Sequence, residues 1–368
     1  GKIRYLFSKP THGISDFLKV ILSLSSNNEI IDLFEKRFPS TNSKKEREKL
    51  MDKVQSFLNG ERLFILEEHD QIDRDIENTI RLCLSNLCNH FDGRDNKEID
   101  FSDFKIGNII FASQIIDKNF NFKSAILEFS RIVSVDFSNV RIIQSSETPA
   151  YLCGVLKQGI FLPNEASIVL SRTTDFIEDI FQIPESLTAE QIREICSLEK
   201  AEKIKHLDSI QYLEDFSDDA KDSISTADCI VYGAGTPFSS LLPSLSLKGA
   251  AKAISNKECP KIMVANLKKE TQNFFSANQL IRDLLKHTLK NFKENEINPE
   301  KIITHLVVSS HDIAHEDKDY SIDYSGAELN KEFPWVKIVE SDLAHPEKEF
   351  QHDGNKLKKC ILKILSSE

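Results

Sequence analysis

The stretch Asp228-Cys229-Ile230-Val231-Tyr232-Gly233-Ala234-Gly235-Thr236-Pro237-Phe238-Ser239-Ser240-Leu241-Leu242-Pro243 passes from a short apolar run, through two glycines, into three hydroxyl residues. It reads as a buried strand ending at Tyr232, a tight turn, and the opening of a helix. Glycines at such a turn let backbone N–H groups approach a ligand. Thr236, Ser239 and Ser240 can donate to phosphate oxygens at the amino end of the helix. The same residues also make an ordinary βα turn with a hydroxyl cap, so the spacing alone leaves both readings open.

Downstream of this stretch the pattern repeats. Apolar strands at Lys261–Ala265, His305–Ser309 and Val336–Val339 alternate with helical patterns at Leu241–Ile254, Phe275–Lys290 and Lys356–Leu365. Strands alternating with helices of this length predict a mostly parallel sheet covered on both faces. Upstream, Tyr151–Leu156 and Ile160-Phe161-Leu162 flank Lys157-Gln158-Gly159 as a β-hairpin. Val133-Ser134-Val135 and Val140–Ile143 read as further strands, and residues 175–226 as acidic and helical. Ile106–Ile116 and Phe122–Phe129 read as helices. Residues 29–104 are charged and helical by period, with Leu63–Leu66 the one strand-like run. The amino terminus is too polar for a signal peptide and reads as a first strand, Ile3–Ser8, ending in a turn with Thr11, His12, Gly13 and Ser15. The expected architecture is α/β: one large doubly wound domain over 1–368, with a mostly parallel Rossmann-like sheet, a β-hairpin and a helical insertion over 29–104.

Composition narrows the function classes. The net charge of −11 removes the positive field that phosphate-backbone binding needs, so nucleic acid is not an expected partner. No apolar run approaches the ~18 residues of a membrane helix. Seven cysteines include no C-x-x-C pair and sit mostly in apolar runs, as buried thiols of a reducing, cytoplasmic compartment do. Only 12 glycines are present, well under the usual ~7%, so each is expected to mark a special backbone position. Asn266, just past the strand Lys261–Ala265, is a further candidate at a carboxyl strand end, although an Asx-turn is the commoner role there. His311 and His315 stand four residues apart but lack a metal-site motif, and no metal site is expected.

These residues, taken in order, resemble the CofD-like superfamily of 2-phospho-L-lactate transferases and YvcK-type UDP-sugar-binding factors. The likeness runs through Gly233–Leu245, Leu247–Ile254, Lys105–Ile110 with Gly107 and Asn108, Val140–Gln144, and Cys259–Asn266 with Glu270-Thr271 and Phe275-Ser276-Ala277. The branch with a helical insertion is nearest. The resemblance implies a nucleotide or nucleotide-sugar (a UDP-sugar or guanine nucleotide) held at the carboxyl edge of the sheet, and a cytoplasmic homodimer. Backbone amides at Gly13, Gly233 and Gly235 would take the diphosphate. Thr236, Ser239 and Ser240 would donate to it, Phe238 would pack on the base or sugar, and Asn108 and Asn266 would orient the ligand. Two departures stand out. The family's opening glycine loop is matched only by Pro10-Thr11-His12-Gly13-Ile14-Ser15, and the acidic Asp-Asp-Gly-Gly loop has no counterpart after Asn28. Magnesium is expected only if that loop exists in the full protein. Three readings follow: a regulatory or divergent nucleotide-binding protein, an active transferase of phosphorus-containing groups, and a non-catalytic scaffold with a decayed site.

Overall fold

The computed structural model describes residues 14–66, 72–91, 100–137, 139–170, 175–267, 276–292, 296–310, 324–348 and 351–367. The chain divides into two compact units, Gly1–Ile142 and Ile143–Glu368.

The described part of the first unit is helical: α1 (Ile14–Leu24), α2 (Asn28–Glu35), α3 (Lys44–Leu58), α4 (Arg74–Phe91), α5 (Ile106–Asp117) and α6 (Phe122–Ile132). Helix α5 is its axis. Ile106, Ile109, Ile110, Phe111, Ala112 and Ile115 are all buried, and a helix apolar on every side belongs inside a core. Helices α1, α2, α4 and α6 lie against it. Gly107 permits that closeness, because a Cβ there would stand 3.0 Å from a Leu18 methyl and 3.2 Å from the Phe34 carbonyl. Helix α3 begins with a capping box in which Ser43 and Glu46 satisfy each other's backbone N–H groups.

Two strand expectations fail here. Residues 63–66 form a turn, with the Leu66 N–H on the Leu63 carbonyl. Val133-Ser134-Val135 closes α6: Ser134 takes φ 56°, its N–H bonds the Arg131 carbonyl, and that of Val135 bonds Ser130. This 6→1 and 5→2 pairing is a Schellman ending, and it uses the β-branched residues as helix-end packing. Residues 140–143 are also irregular.

The second unit contains two sheets. β1 (Tyr151–Leu156), β2 (Phe161–Leu162) and β3 (Ile177–Ile183) form an antiparallel sheet in the order β2-β1-β3, with α7 (Glu165–Leu170) between β2 and β3. Strand β3 overturns the helical reading of residues 175–183. Its side chains are buried on both faces, and its acidic residues are paired (below) rather than solvated. Helices α8 (Ala189–Ser197), α9 (Lys200–Ile210) and α10 (Asp218–Thr226) follow. Then come β4 (Ile230–Tyr232), a π-turn at Pro237–Leu241, α11 (Leu242–Leu245), α12 (Ala250–Asn256), β5 (Lys261–Val264), α13 (Ala277–Leu289), β6 (His305–Ser309), α14 (Gly326–Glu332), β7 (Lys337–Ser341) and α15 (Gly354–Leu365).

Strands β4 to β7 form a parallel sheet in chain order. Right-handed crossovers between strands laid down in order place the intervening helices on one face. The core agrees. Tyr232, Met263, Leu306 and Val308 pack with Ile254 of α12, Ile281 and Leu284 of α13, and Phe333 just past α14. Alternate residues Ile262, Val307 and Val339 point the other way, onto Cys360 and Ile364 of α15. Both faces are thus covered by helices, and the mixed α/β Rossmann-like architecture stands. One face of the antiparallel sheet joins the first of these clusters through Leu152, Leu156, Ile177 and Ile180, while the other packs on α8 and α9.

Candidate functional site

The turn after β4 lies at the carboxyl edge of the parallel sheet, where ligands of open α/β sheets bind. The strand below it is anchored: Tyr232 is buried and its hydroxyl donates to the Ile302 carbonyl at 2.6 Å. Burial pushes the phenol of Tyr232 far above its ordinary value, so it acts as a neutral anchor. Gly233, Ala234 and Gly235 are exposed. A Cβ on either glycine would meet no atom of the described residues within 4 Å.

Asn266, just past β5, grips this turn from the neighbouring strand end. Its Oδ1 accepts from the Gly235 N–H at 2.9 Å and its Nδ2 donates to the Gly235 carbonyl at 2.9 Å. Both ends of the carboxamide are therefore occupied, and Asn266 shapes the turn instead of presenting an amide to a ligand. The Gly235 N–H is likewise taken, which removes it from the amides expected to hold a diphosphate. Those of Ala234 and Thr236 have no protein partner among the described residues.

Thr236 stands at the cap position of the π-turn without a side-chain cap bond. Pro243 supplies no N–H to an α-helical ladder here, and the turn widens so that the Leu242 N–H reaches the Pro237 carbonyl. The hydroxyls of Thr236, Ser239 and Ser240, half-buried to exposed, have no hydrogen-bond partner among the described residues. Phe238 is placed differently from expectation. It is 2% exposed and lies edge-on to the ring of His287, centroids 5.6 Å apart at 84°. Its ring belongs to the core cluster and anchors the turn from below.

The remaining candidates fall elsewhere. Gly107 and Asn108 begin α5 in the first unit. Gly107 makes room for α1 and α2, while the Asn108 Oδ1 is buried and unpartnered among the described residues. Ser15 is in α1. Thr11, His12, Gly13, the first expected strand, Glu270-Thr271 and the His311–His315 pair lie outside the described residues.

Beneath the turn lies a buried charged cluster that sequence reasoning missed. Asp179 on β3 faces His287 Nε2 at 3.4 Å and Lys290 Nζ at 3.3 Å. Lys290 also reaches Asp208 at 3.2 Å and covers the Phe181 ring at 4.1 Å. His287 Nδ1 meets the Asp283 carbonyl at 2.9 Å. Burial raises the Asp179 carboxyl, but the facing His287 ring and the charges of Lys290 and Lys286 outweigh it and hold it below the usual range. Burial pushes Asp283 up to about 6, even though Gln279 donates to it at 2.9 Å. The cluster pins β3 to α13, and Phe238 rests on it. An aspartate in the alternating pattern of Ile177, Asp179 and Phe181 was its one local signal.

Among the described residues, no group of three or more His, Cys, Asp or Glu side chains is placed to hold a metal ion, and no helix is long and apolar enough to cross a membrane.

Residues 12–343 match the model of the 2-phospho-L-lactate transferase CofD family. The chain belongs to that family. Two solved structures of one Bacillus halodurans protein share the CofD-family chain's fold. The first is 15% identical, covers 95% of this chain and 96% of its own, and has a TM-score of 0.56. The second, described as a member of the UPF0052 family, is 14% identical over 96% of each chain with a TM-score of 0.55. At these identities the likeness concerns the fold alone. No curated protein matches the chain by sequence.

Proposed function

We propose that the protein binds a nucleotide or nucleotide-sugar through its diphosphate at the Gly233–Ser240 turn. One observation carries the reading. An exposed glycine turn at a carboxyl strand end presents the Thr236, Ser239 and Ser240 hydroxyls and the Ala234 and Thr236 amides, all without a protein partner among the described residues. Such donors around a turn that leads into helical structure form an anion-binding concavity. The net charge of −11 supplies no long-range attraction for a diphosphate, so affinity has to come from these local donors. Calorimetry with GDP, GTP and UDP-glucose tests this. At least one should bind, and the double variant Ser239→Ala/Ser240→Ala should weaken it by about 100-fold or more, from two lost hydrogen bonds to a charged group at about 1.5–3 kcal/mol each. Absence of binding by all three leaves the scaffold reading.

Family membership favours a second reading, transfer of a phosphorus-containing group from a nucleotide-linked donor to an alcohol acceptor. Among the described residues no group of three or more His, Cys, Asp or Glu side chains is gathered to hold a metal ion, and no step is routed through one. Donor turnover with an α-hydroxy acid, assayed with and without added Mg²⁺, separates transfer from binding alone. The homodimer and the cytoplasmic compartment belong to the same proposal. Sedimentation at micromolar protein tests the first, and fractionation of expressing cells the second.

A further inference from the structure

Past β7 the chain turns back over the carboxyl edge. Leu343–His345 and Gln351–Asp353 form a short antiparallel pair: His345 N–H bonds the Gln351 carbonyl at 2.8 Å, Asp353 N–H bonds the Leu343 carbonyl at 2.8 Å, and Ala344 bridges His352. Its base is fastened. Asp353 caps α15, and Lys356 Nζ reaches both Asp342, at 2.6 Å, and the Ala344 carbonyl, at 2.9 Å. This pairing sets the half-buried His352 ring beside the end of β5, with Nε2 3.2 Å from the Ala265 carbonyl. A carbonyl only accepts, so Nε2 carries the proton. Ala265 is itself buried, and its own N–H is bonded to the Val307 carbonyl at 3.0 Å. Both backbone groups of Ala265 are thus held, one by β6 and one by His352. The next residue is Asn266, whose carboxamide closes on Gly235.

We infer that His352 is a positioning residue for the glycine turn: its bond to the Ala265 carbonyl fixes the direction of Asn266 and, through it, the conformation of Gly233–Gly235. The residue lies beyond 343, where the family match ends. Its importance for affinity rests on the nucleotide-binding reading above, but its effect on the turn does not. Burial lowers the ring's affinity for a second proton, in keeping with a neutral donor at this place.

The test is amide hydrogen exchange by NMR on the full chain without ligand. The Gly235 N–H is protected only by Asn266 among the described residues, so Asn266→Ala should abolish that protection. His352→Phe should speed Gly235 exchange by about 2- to 10-fold, the factor of one neutral hydrogen bond, while amides of β1 and α9 stay unchanged. His352→Gln, which can still donate, should restore the parent rate. In the Asn266→Ala background His352→Phe should add nothing. Parent-like Gly235 exchange in His352→Phe overturns the inference, as does uniform acceleration across the protein, no rescue by Gln, or additivity with Asn266→Ala. GDP and UDP-glucose titrations then follow separately. If exchange responds as expected but neither probe binds, the positioning role stands and the nucleotide-binding reading fails.

Discussion

Phe238 offers a decisive substitution, because its two roles predict opposite pairs of results. If it were a platform for a base or sugar, Phe238→Leu would cost binding and leave stability alone. The structure buries all but 2% of it and sets it edge-on to His287. Phe238→Leu keeps most of the volume, so it should cost about 1 kcal/mol in packing plus about 0.5–1.5 kcal/mol for the lost ring pair. Phe238→Ala opens a cavity in the same cluster and should cost about 3–5 kcal/mol. At about 2–4 °C per kcal/mol for a unit of this size, Tm should fall by about 3–10 °C for Leu and by about 6–20 °C for Ala. Thermal and urea unfolding measure both. Nucleotide affinity of the Leu variant, taken well below its Tm, should stay within about 3-fold of the parent, because no contact of the open face changes. An unchanged Tm in Phe238→Ala, or a large affinity loss in Phe238→Leu with stability intact, refutes the core assignment.

Two further outcomes follow from buried or strained positions. Burial raises Asp283 from its ordinary 3.8 to about 6, so the fold keeps this proton more tightly than the unfolded chain does. The stability it allows is complete below about pH 4 and lost as pH rises through about 6, an effect of about 3 kcal/mol. Asp283→Asn stays neutral and keeps the acceptor for Gln279, so its stability relative to the parent should rise from about pH 4 to about pH 7 in urea titrations; a pH-independent difference contradicts the assignment. Gly249 opens α12 at φ 86°, so Gly249→Ala should lower unfolding stability by about 1–2 kcal/mol and Gly249→Asn by less, whereas equal costs would remove the left-handed requirement.

Elements with an unmixed period were legible in the sequence. Strands β4 to β7 and helix α5 announced themselves as apolar runs, the β1–β2 hairpin by its turn residues, and the helices described within residues 29–104 by helical spacing. Strand β3 did not, because Glu178 and Asp179 lent it the composition of a solvated helix. Its charges are offset by Lys200, Lys286 and Lys290, which distant segments bring to it. The same blindness turned Val133-Ser134-Val135 into an expected strand, since β-branched residues suit a sheet and a packed helix end equally well.

By itself the sequence determined where the chain turns at Gly233–Gly235, which strand precedes that turn and which hydroxyls follow it. Those are local properties of apolar period and glycine freedom. Only the tertiary structure decided what each side chain does there. Asn266 belongs to Gly235 because β4 and β5 pair in parallel register, and Phe238 belongs to the core because α13 brings His287 beneath it. Both contacts join residues 31 or more positions apart, and no periodicity in one segment encodes which distant segment will face it.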